Sequence, residues 1–167
     1  MKVYFEQITI DGIDVDTAFE FDDFSSHITV ENFNGKLYPI KNAYFLDGNV
    51  VFSVEDKCDR CAETFKKQFS ERIQVEIVRN KINEEDEEEE IELSEEDLSY
   101  YTIIEDFIDI DEIVKEEVAL LKPIKWLCSE SCKGICPGCG ADLNKEKCRC
   151  QGASVDPRFE ILKKLKK

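Results

Sequence analysis

The chain has 167 residues, which is enough for one domain, or for one domain with a small metal-binding appendage. Apolar residues make up 42% of it, so a hydrophobic core can form. No apolar run approaches the roughly 18 residues that a membrane-spanning helix needs. The N-terminus, MKVYFEQITIDG, also lacks the continuous apolar stretch of a secretory signal. We therefore expect a cytoplasmic protein.

The formal net charge is −16, but it is unevenly distributed. Eleven acidic residues lie between Glu84 and Asp97, whereas residues 122–167 contain eleven Lys/Arg and five Asp/Glu. Such an acidic chain would repel phosphates over most of its surface, which excludes non-specific coating of nucleic acid. Any contact with RNA is expected in the C-terminal third.

Apolar and polar residues alternate in several short stretches of the first half of the chain. The apolar positions are Val3, Phe5, Ile8, Ile10, Ile28, Val30, Val50, Phe52, Val54, Ile73, Val75 and Ile77, with a further extended run at residues 37–46. The dipeptides Asp11-Gly12, Asn34-Gly35 and Asp47-Gly48 are typical of turns. The pattern predicts a mostly β domain over residues 1–82, as an antiparallel meander or a partly open barrel. Pro39 suggests that its strand lies at an edge.

Residues 83–99, NEEDEEEEIELSEEDLS, form a dense acidic run. Such a run cannot pack in a core, so we predict a solvated, flexible loop. The alternative is an acidic arm that mimics RNA or binds a basic partner.

Residues 100–127 are predicted to contain a helix that packs on the β domain. One apolar stripe at helical spacing consists of Ile110, Ile113, Val114, Val118 and Leu121. Asp109 is the expected N-cap, with Glu112 as its capping-box partner, and Pro123 ends the helix. Glu116 and Glu117 lie off the stripe and should face water.

Residues 128–167 form a cysteine-rich segment that ends in SVDPRFEILKKLKK. Asp156 as N-cap and Pro157 at the first helical position predict a short basic helix. Its candidate contacts with RNA or a partner protein are Arg158, Lys163, Lys164, Lys166 and Lys167. The alternative is a capped tail without a binding role.

The eight cysteines indicate metal binding, because thiols stay reduced in the cytoplasm and these occur in closely spaced groups. One set, in the sequence CPGCGADLNKEKCRC, consists of Cys136, Cys139, Cys148 and Cys150. A two-residue spacer lets one tight turn present two thiolates to the same zinc ion. The short loop to Cys148 then allows a local four-thiolate site.

The remaining cysteines again number four: Cys58, Cys61, Cys128 and Cys132. A second zinc ion bound by them would join the C-terminal segment to the β domain. Metal binding contributes about 10–16 kcal/mol in small zinc modules, enough to fix such a connection. We therefore expect one or two structural Zn²⁺ ions, and an exchange of ligands between the two sets stays open.

An enzyme is not predicted. Four thiolates leave no open coordination position for catalysis at zinc. The pair Cys58 and Cys61 lacks the βαβ surroundings of a thioredoxin-like redox motif. The chain has one histidine, His27, and it contains neither a nucleophile elbow nor a phosphate-binding glycine loop.

Three segments together resemble the YceD family, the large ribosomal RNA subunit accumulation proteins of bacteria and plastids. The first is Cys58-Asp59-Arg60-Cys61 after an apolar strand, matching a C-x-R-C motif. The second is IDIDEIVKEEVALLKPIKWLC at residues 108–128, and the third is GICPGCGADLNKEKCRC followed by DPRFEILKKLK. The chain departs from the family at Ala62, where Leu is frequent, and at Lys122, where an apolar residue is frequent.

The resemblance implies a role in accumulation of 23S ribosomal RNA, and so in large-subunit assembly, without a known catalytic activity. It suggests the 23S rRNA precursor or a large-subunit ribosomal protein as partner, with no membrane and no small-molecule substrate. Arg60 matches the family's arginine and is a candidate for RNA or partner contact, or for supporting the metal site. Two alternatives are an acidic module that chaperones a basic ribosomal partner, and a redox sensor based on a zinc–thiolate site.

Overall fold

The computed structural model describes residues 1–79 and 100–150. The expected acidic loop and basic C-terminal helix lie outside these residues, as do Arg158, Lys163, Lys164, Lys166 and Lys167. The chain divides into two compact units. The β unit combines Met1–Asp56 with Lys66–Ile124, and the cysteine unit combines Lys57–Phe65 with the described residues from Lys125 onward. In these ranges no helix has both the length and the apolarity to cross a bilayer.

The prediction of a mostly β fold is confirmed. The elements are β1 (Lys2–Tyr4), a short 3₁₀ helix (Phe5–Gln7), β2 (Ile13–Asp23), β3 (Ser26–Ile40), β4 (Ala43–Lys57), β5 (Thr64–Arg79), β6 (Tyr100–Ile103), β7 (Phe107–Asp109) and α1 (Ile110–Leu121). One five-stranded sheet has the order β2-β3-β4-β5-β6, so four strands follow one another as in a meander. β6 departs from this pattern because it pairs in parallel with β5, and β1 pairs antiparallel with β7.

Two of the three predicted glycine turns are wrong. Asn34-Gly35 lies inside β3 and Asp47-Gly48 inside β4, and Gly35 and Gly48 are direct cross-strand partners. The turn between these strands is instead at residues 41 and 42. A Cβ atom on either glycine would lie within 2.8 Å of the ring of Phe33, and Phe33 is fully buried. The two glycines therefore make room for an aromatic side chain in the core. The third predicted turn, Asp11-Gly12, is present in the structure, with Gly12 at φ +81°.

The edge position suggested by Pro39 is also wrong for the strand as a whole, because β3 lies between β2 and β4. The ladder between β2 and β3 stops at the pair Ile13 and Leu37. Pro39 lies beyond this pair and faces a ladder partner, Tyr44, on the β4 side. A missing N–H is tolerated there, since the other side of the strand no longer needs a donor.

The first predicted strand is shorter than expected. β1 ends at Tyr4, and the chain then turns through a 3₁₀ helix in which the Tyr4 backbone N–H donates to Oε1 of Gln7 at 3.0 Å. The turn brings the Phe5 ring to 4.9 Å from the Tyr44 ring. Ile10, assigned to the same strand, is instead 94% exposed. The contact between Phe5 and Tyr44 and the cap by Gln7 thus take the place of further strand pairing by β1.

Helix α1 has the predicted stripe, start and end. Ile110, Ile113, Val114 and Val118 are buried, and the helix packs on β1 and β2. The Asp109 carboxylate caps it by accepting from the backbone N–H of Asp111 at 3.2 Å. Glu116 is exposed as expected, whereas Glu117 is half-buried, which raises the pKa of its carboxyl group.

Lys122 follows α1 directly, and its side chain has polar partners in the sheet. Its ammonium group donates to Oδ2 of Asp56 at 3.0 Å and to the hydroxyl of Ser26. All three side chains are largely shielded from water: Ser26 is 2% exposed, and the side chains of Asp56 and Lys122 are 10% and 19% exposed. A buried charge is tolerated when it is paired and hydrogen-bonded. The position therefore takes lysine because β3 and β4 supply its partners.

Candidate metal centres

The structure brings the eight cysteines together as two sets of four, both in the cysteine unit. The first centre comprises Cys58, Cys61, Cys128 and Cys132, and the second comprises Cys136, Cys139, Cys148 and Cys150. Within each set all sulfur atoms lie within 4.8 Å of one another. These are the sets that the spacing predicted, without exchange of ligands between them.

The first centre is assembled from distant parts of the chain. The loop between β4 and β5 carries Cys58 and Cys61, and the segment after α1 carries Cys128 and Cys132. Sγ of Cys58 lies 3.9 Å from Sγ of Cys132, and Sγ of Cys61 lies 3.7 Å from Sγ of Cys128. Phe65 and Leu127 pack against its buried cysteines.

The second centre is local. Sγ of Cys136 lies 3.4 Å from Sγ of Cys148 and 3.8 Å from Sγ of Cys150, and Sγ of Cys139 lies 3.9 Å from Sγ of Cys148. Gly138 allows this packing, because a Cβ atom there would lie 2.7 Å from Sγ of Cys150. All eight cysteines are free thiols.

The sulfur geometry fits zinc. Four sulfurs bound at about 2.3 Å to a tetrahedral ion lie about 3.8 Å from one another. The five sulfur–sulfur distances given above, 3.4–3.9 Å, lie on both sides of this value and far exceed a disulfide bond of about 2.05 Å. Thiolate is a soft ligand that suits zinc among the common divalent ions. Both centres could therefore hold a metal ion of this kind.

Residues 58–63 and 136–141 fold into the same turn, one in each centre. In both turns, the carbonyl of the first cysteine accepts a hydrogen bond from the N–H four residues later. The N–H of the same cysteine donates to the carbonyl five residues later. The bonds are Ala62 N–Cys58 O at 2.8 Å, Gly140 N–Cys136 O at 2.9 Å, Cys58 N–Glu63 O at 2.9 Å and Cys136 N–Ala141 O at 2.9 Å. The two C-x2-C motifs are thus structural equivalents.

Backbone N–H groups also point at the sulfurs in an equivalent way. The first sulfur of each turn accepts from the N–H groups two and three residues later, and the second accepts from the N–H two residues later. The donors are Arg60 and Cys61 to Cys58, Gly138 and Cys139 to Cys136, Glu63 to Cys61, and Ala141 to Cys139. Four thiolates around one Zn²⁺ would carry a net charge of −2, which such donors would stabilise.

The cysteine pKa values are split within each centre. Burial raises the pKa of Cys58, but the N–H groups of Cys128, Arg60 and Cys61 outweigh this effect and lower it to about 6. Burial and contacts with the thiols of Cys132 and Cys61 raise the pKa of Cys128 to about 12. In the second centre, backbone donors lower the pKa of Cys139 to about 6, while neighbouring thiols raise that of Cys150 to about 12. A cation among such crowded thiols would favour their ionisation.

Arg60 supports the first centre. Its Nη1 donates to the carbonyl of Cys132 at 2.9 Å and to that of Glu130 at 3.3 Å. Its own carbonyl accepts from the N–H of Ile135 at 2.9 Å. A Cβ atom on Gly134, which has φ +73°, would lie 2.9 Å from this carbonyl. Arg60 therefore connects both parts of the chain that supply the first four cysteines.

Other supporting residues were not predicted from the sequence. Oδ2 of Asp59 accepts from the backbone N–H of Trp126 at 2.6 Å, and the Trp126 ring stacks on Phe65 with centroids 4.8 Å apart. Asn144, on the loop of the second centre, donates from Nδ2 to Sγ of Cys132 in the first at 3.4 Å. Its Oδ1 accepts from the Lys133 N–H at 2.8 Å. The residues from Asp142 to Asn144 have the composition of a turn, which is the signal that the sequence offers for Asn144. That signal does not show that Asn144 reaches the sulfur of Cys132.

Two of the basic side chains among the cysteines contact carboxylates. Nζ of Lys145 lies 2.9 Å from Glu63 and 3.7 Å from Asp142, and Nη2 of Arg149 lies 2.5 Å from Glu146. In the described contacts the sulfurs receive their hydrogen bonds from backbone N–H groups and from Asn144 instead.

Comparison with known proteins gives a consistent match. The family model described as large ribosomal RNA subunit accumulation protein YceD matches residues 46–166, which include both centres. One relative, the chloroplastic large ribosomal RNA subunit accumulation protein YCED homolog 1 of Arabidopsis thaliana, is 39% identical over 59 residues. The matched stretch is 35% of this chain and 18% of that relative, so the chain corresponds to a small part of it. No solved structure matches. The chain belongs to the YceD family.

Proposed function

We propose that this protein is a non-enzymatic accessory factor for accumulation of 23S rRNA, and so for large ribosomal subunit assembly, with two structural Zn²⁺ ions. The family name supports the link to the large ribosomal subunit and its RNA. The observation that carries the structural part is the presence of two compact four-cysteine sets. The partner is the 23S rRNA precursor or a large-subunit ribosomal protein.

The ligand sets favour a structural over a catalytic role for the metal. Four protein sulfurs complete a tetrahedral zinc site and leave no position for water or substrate. Cys58 and Cys61 hold one end of the first centre, and Cys128 and Cys132 hold the other. Zinc binding of about 10–16 kcal/mol would fix these segments as a single folded unit.

Metal content tests the structural part of the proposal. Protein purified under reducing conditions with zinc available should contain two zinc ions per chain by elemental analysis. Cys148→Ser and Cys58→Ser should each lower this ratio to one, because each removes a ligand from a different centre. A well-folded chain without metal would contradict the proposal.

The ribosomal part is tested in cells that produce the protein. Removing the gene should lower the ratio of 23S to 16S rRNA and reduce the large-subunit peak in a sucrose gradient, and the intact gene should restore both. In addition, the purified protein should bind pre-ribosomal particles or ribosomal proteins at near-physiological salt. The proposal fails if the protein associates with neither.

Arg60 separates a supporting role from a contact with RNA. Its bonds to two carbonyls favour support of the first centre. Arg60→Lys keeps the positive charge but cannot reproduce the planar guanidinium donor set. If support is the main role, this variant should lose zinc from the first centre more easily. If RNA contact is the main role, zinc retention should be unchanged and only RNA binding should fall.

The acidic run suggests a second function, chaperoning of a basic ribosomal partner. Residues 84–97 contain eleven acids, and a basic protein would be attracted to them. Deleting these residues separates the two functions. The zinc-supported assembly factor should keep its effect on 23S rRNA after the deletion, whereas the acidic chaperone should lose it together with binding of the basic partner.

A further inference from the structure

The two centres differ strongly in their exposure to water. In the first, Cys58, Cys61 and Cys132 are 3%, 7% and 6% exposed, and Cys128 is the one exposed cysteine. In the second, Cys136 alone is buried, at 8%, while Cys139, Cys148 and Cys150 are exposed. Both centres use the same C-x2-C turn, so the difference comes from what surrounds the sulfurs.

We propose that the second centre is a peroxide-oxidisable site, at which Cys148 and Cys136 form a disulfide and release the metal ion, while the first centre keeps its ion. This inference rests on the proposed zinc content of both centres. It assigns to this chain a specific modification site and a specific pair of sulfurs.

Within the second centre, access limits the first reaction to the three exposed sulfurs, and the short distance to Cys136 favours Cys148 among them. Oxidation of cysteine follows exposure and thiolate character, and thiolates bound to a metal remain nucleophilic. Cys148 is exposed, and its sulfur makes the shortest sulfur–sulfur contact of either centre, 3.4 Å to Cys136. Cys136 is poorly accessible to an oxidant but is well placed to attack a sulfur that has already been oxidised.

The chemistry has two steps, with hydrogen peroxide as the oxidant. The Cys148 thiolate attacks one peroxide oxygen, the O–O bond breaks, and the hydroxide that leaves takes a proton to become water. Cys148 is then a sulfenic acid. The Cys136 thiolate attacks its sulfur, an S–S bond forms, and the displaced hydroxide takes a second proton. Two electrons pass from the two thiolates to one peroxide, and only two sulfurs of the centre remain as metal ligands.

The first centre is protected by its surroundings. Phe65 and Leu127 pack on it, and the Trp126 ring covers Phe65. Arg60 and the N–H of Cys128, 3.4 Å from Sγ of Cys58, hold the loops closed over the sulfurs. Peroxide therefore needs local unfolding to reach Cys58, Cys61 and Cys132. In the folded state it can reach one sulfur of the first centre, that of Cys128, but three sulfurs of the second.

The experiment uses the full chain loaded with two zinc ions. Hydrogen peroxide is added at one equivalent, and released zinc is measured with a chromogenic chelator. One zinc ion per chain should be released and the other retained. Digestion with trypsin without reduction should yield a disulfide between residues 134–145 and the peptide of Cys148, because Lys147 and Arg149 flank this cysteine. Alkylation before unfolding should leave the buried cysteines Cys58, Cys61 and Cys132 unmodified.

Variants identify the resolving sulfur. Cys139→Ser should still form the disulfide with Cys148, whereas Cys136→Ser should stop at the sulfenic acid, which dimedone traps. Cys148→Ser should contain one zinc ion and release none at this peroxide dose. These readouts need no assay of ribosomal function and do not depend on metal remaining in the altered centre.

Each outcome has a distinct meaning. Release of both ions at equal rates, or oxidation of the first four cysteines, would overturn the inference but leave the zinc proposal intact. The same holds if two ions are bound and a large excess of peroxide releases neither. A chain that never binds zinc would contradict the proposed function itself.

Discussion

Ala62 and Gly140 occupy the same position in the turns of the two four-cysteine centres. Each follows the second cysteine of a C-x2-C motif, and each donates its N–H to the carbonyl of the first cysteine. Both have left-handed backbone conformations, with φ of 57° at Ala62 and 73° at Gly140. The turn therefore imposes a glycine-like backbone at both sites, and only the second has a glycine.

Ala62→Gly should stabilise the zinc-loaded protein. A left-handed conformation costs an L-residue about 1–2 kcal/mol, and replacement by glycine removes this cost. Because glycine has greater freedom in the unfolded chain, the replacement also loses about 0.5–1 kcal/mol of stability. We expect a net gain of about 0.5–1 kcal/mol. Urea unfolding followed by fluorescence is suitable, because the only tryptophan, Trp126, lies in the cysteine unit.

Gly140→Ala is the reciprocal change and should destabilise the same unit by about 1 kcal/mol. A Cβ atom at Gly140 meets nothing within 4 Å, so the loss would come from the backbone and not from a clash. Gly140→Asn should be milder, since asparagine tolerates this conformation better. Equal stability of all three proteins would show that the turn is not strained.

Asn144→Ala should weaken zinc binding at the first centre, although Asn144 lies on the loop of the second. The change removes the donor to Sγ of Cys132, and one hydrogen bond is worth about 1 kcal/mol, or about fivefold in affinity. Competition with a chelator of known zinc affinity measures this loss. Asn49→Ala, at an exposed asparagine of β4, is the control and should leave both affinities unchanged.

Gly48→Ala should destabilise the β unit by about 1–3 kcal/mol, as expected for overpacking. The new Cβ atom would lie 2.7 Å from the Asn34 carbonyl, the Gly35 Cα and the Phe33 ring, so backbone as well as side chain must move. Thermal unfolding followed by far-UV circular dichroism measures the effect. Zinc content should stay at the wild-type value, and a melting temperature equal to that of wild type would contradict the packing role of the glycine pair.

His27 should titrate above the ordinary pKa of 6.5. Its Nδ1 lies 2.8 Å from Oδ1 of Asp22, and this hydrogen bond, together with the charges of Asp22, Glu20 and Glu55, raises the pKa against a smaller effect of desolvation. The protonated form is favoured in the folded state. Its small contribution to stability is therefore complete below pH 6.5 and disappears as the pH rises through the folded pKa.

Proton NMR can follow this titration directly, because His27 is the only histidine in the chain. Asp22→Asn removes the principal partner and should move the pKa back toward 6.5. Asp14→Asn, on the same strand but paired with Lys36 at the other end of the ladder, should leave it unchanged. If wild type and Asp22→Asn titrate together, the hydrogen bond does not form in solution.

Local sequence patterns were sufficient for much of this structure. The alternation at Ile73, Val75 and Ile77 indicated a strand, and the spacing from Ile110 to Val118 indicated a helix with its cap at Asp109. The two sets of four cysteines also followed from spacing and number. These features depend on neighbours a few residues apart, where backbone geometry and side-chain periodicity act directly.

Only the tertiary structure decided the rest. Asn34-Gly35 and Asp47-Gly48 have the sequence of turns, yet they pair within long strands because Phe33 requires the space above them. The contacts of Arg60 with the Cys132 carbonyl and of Asn144 with its sulfur, and the unequal exposure of the two centres, depend on residues far apart in the chain. Spacing determines which thiolates can share an ion, whereas packing determines how far water and oxidants can reach them.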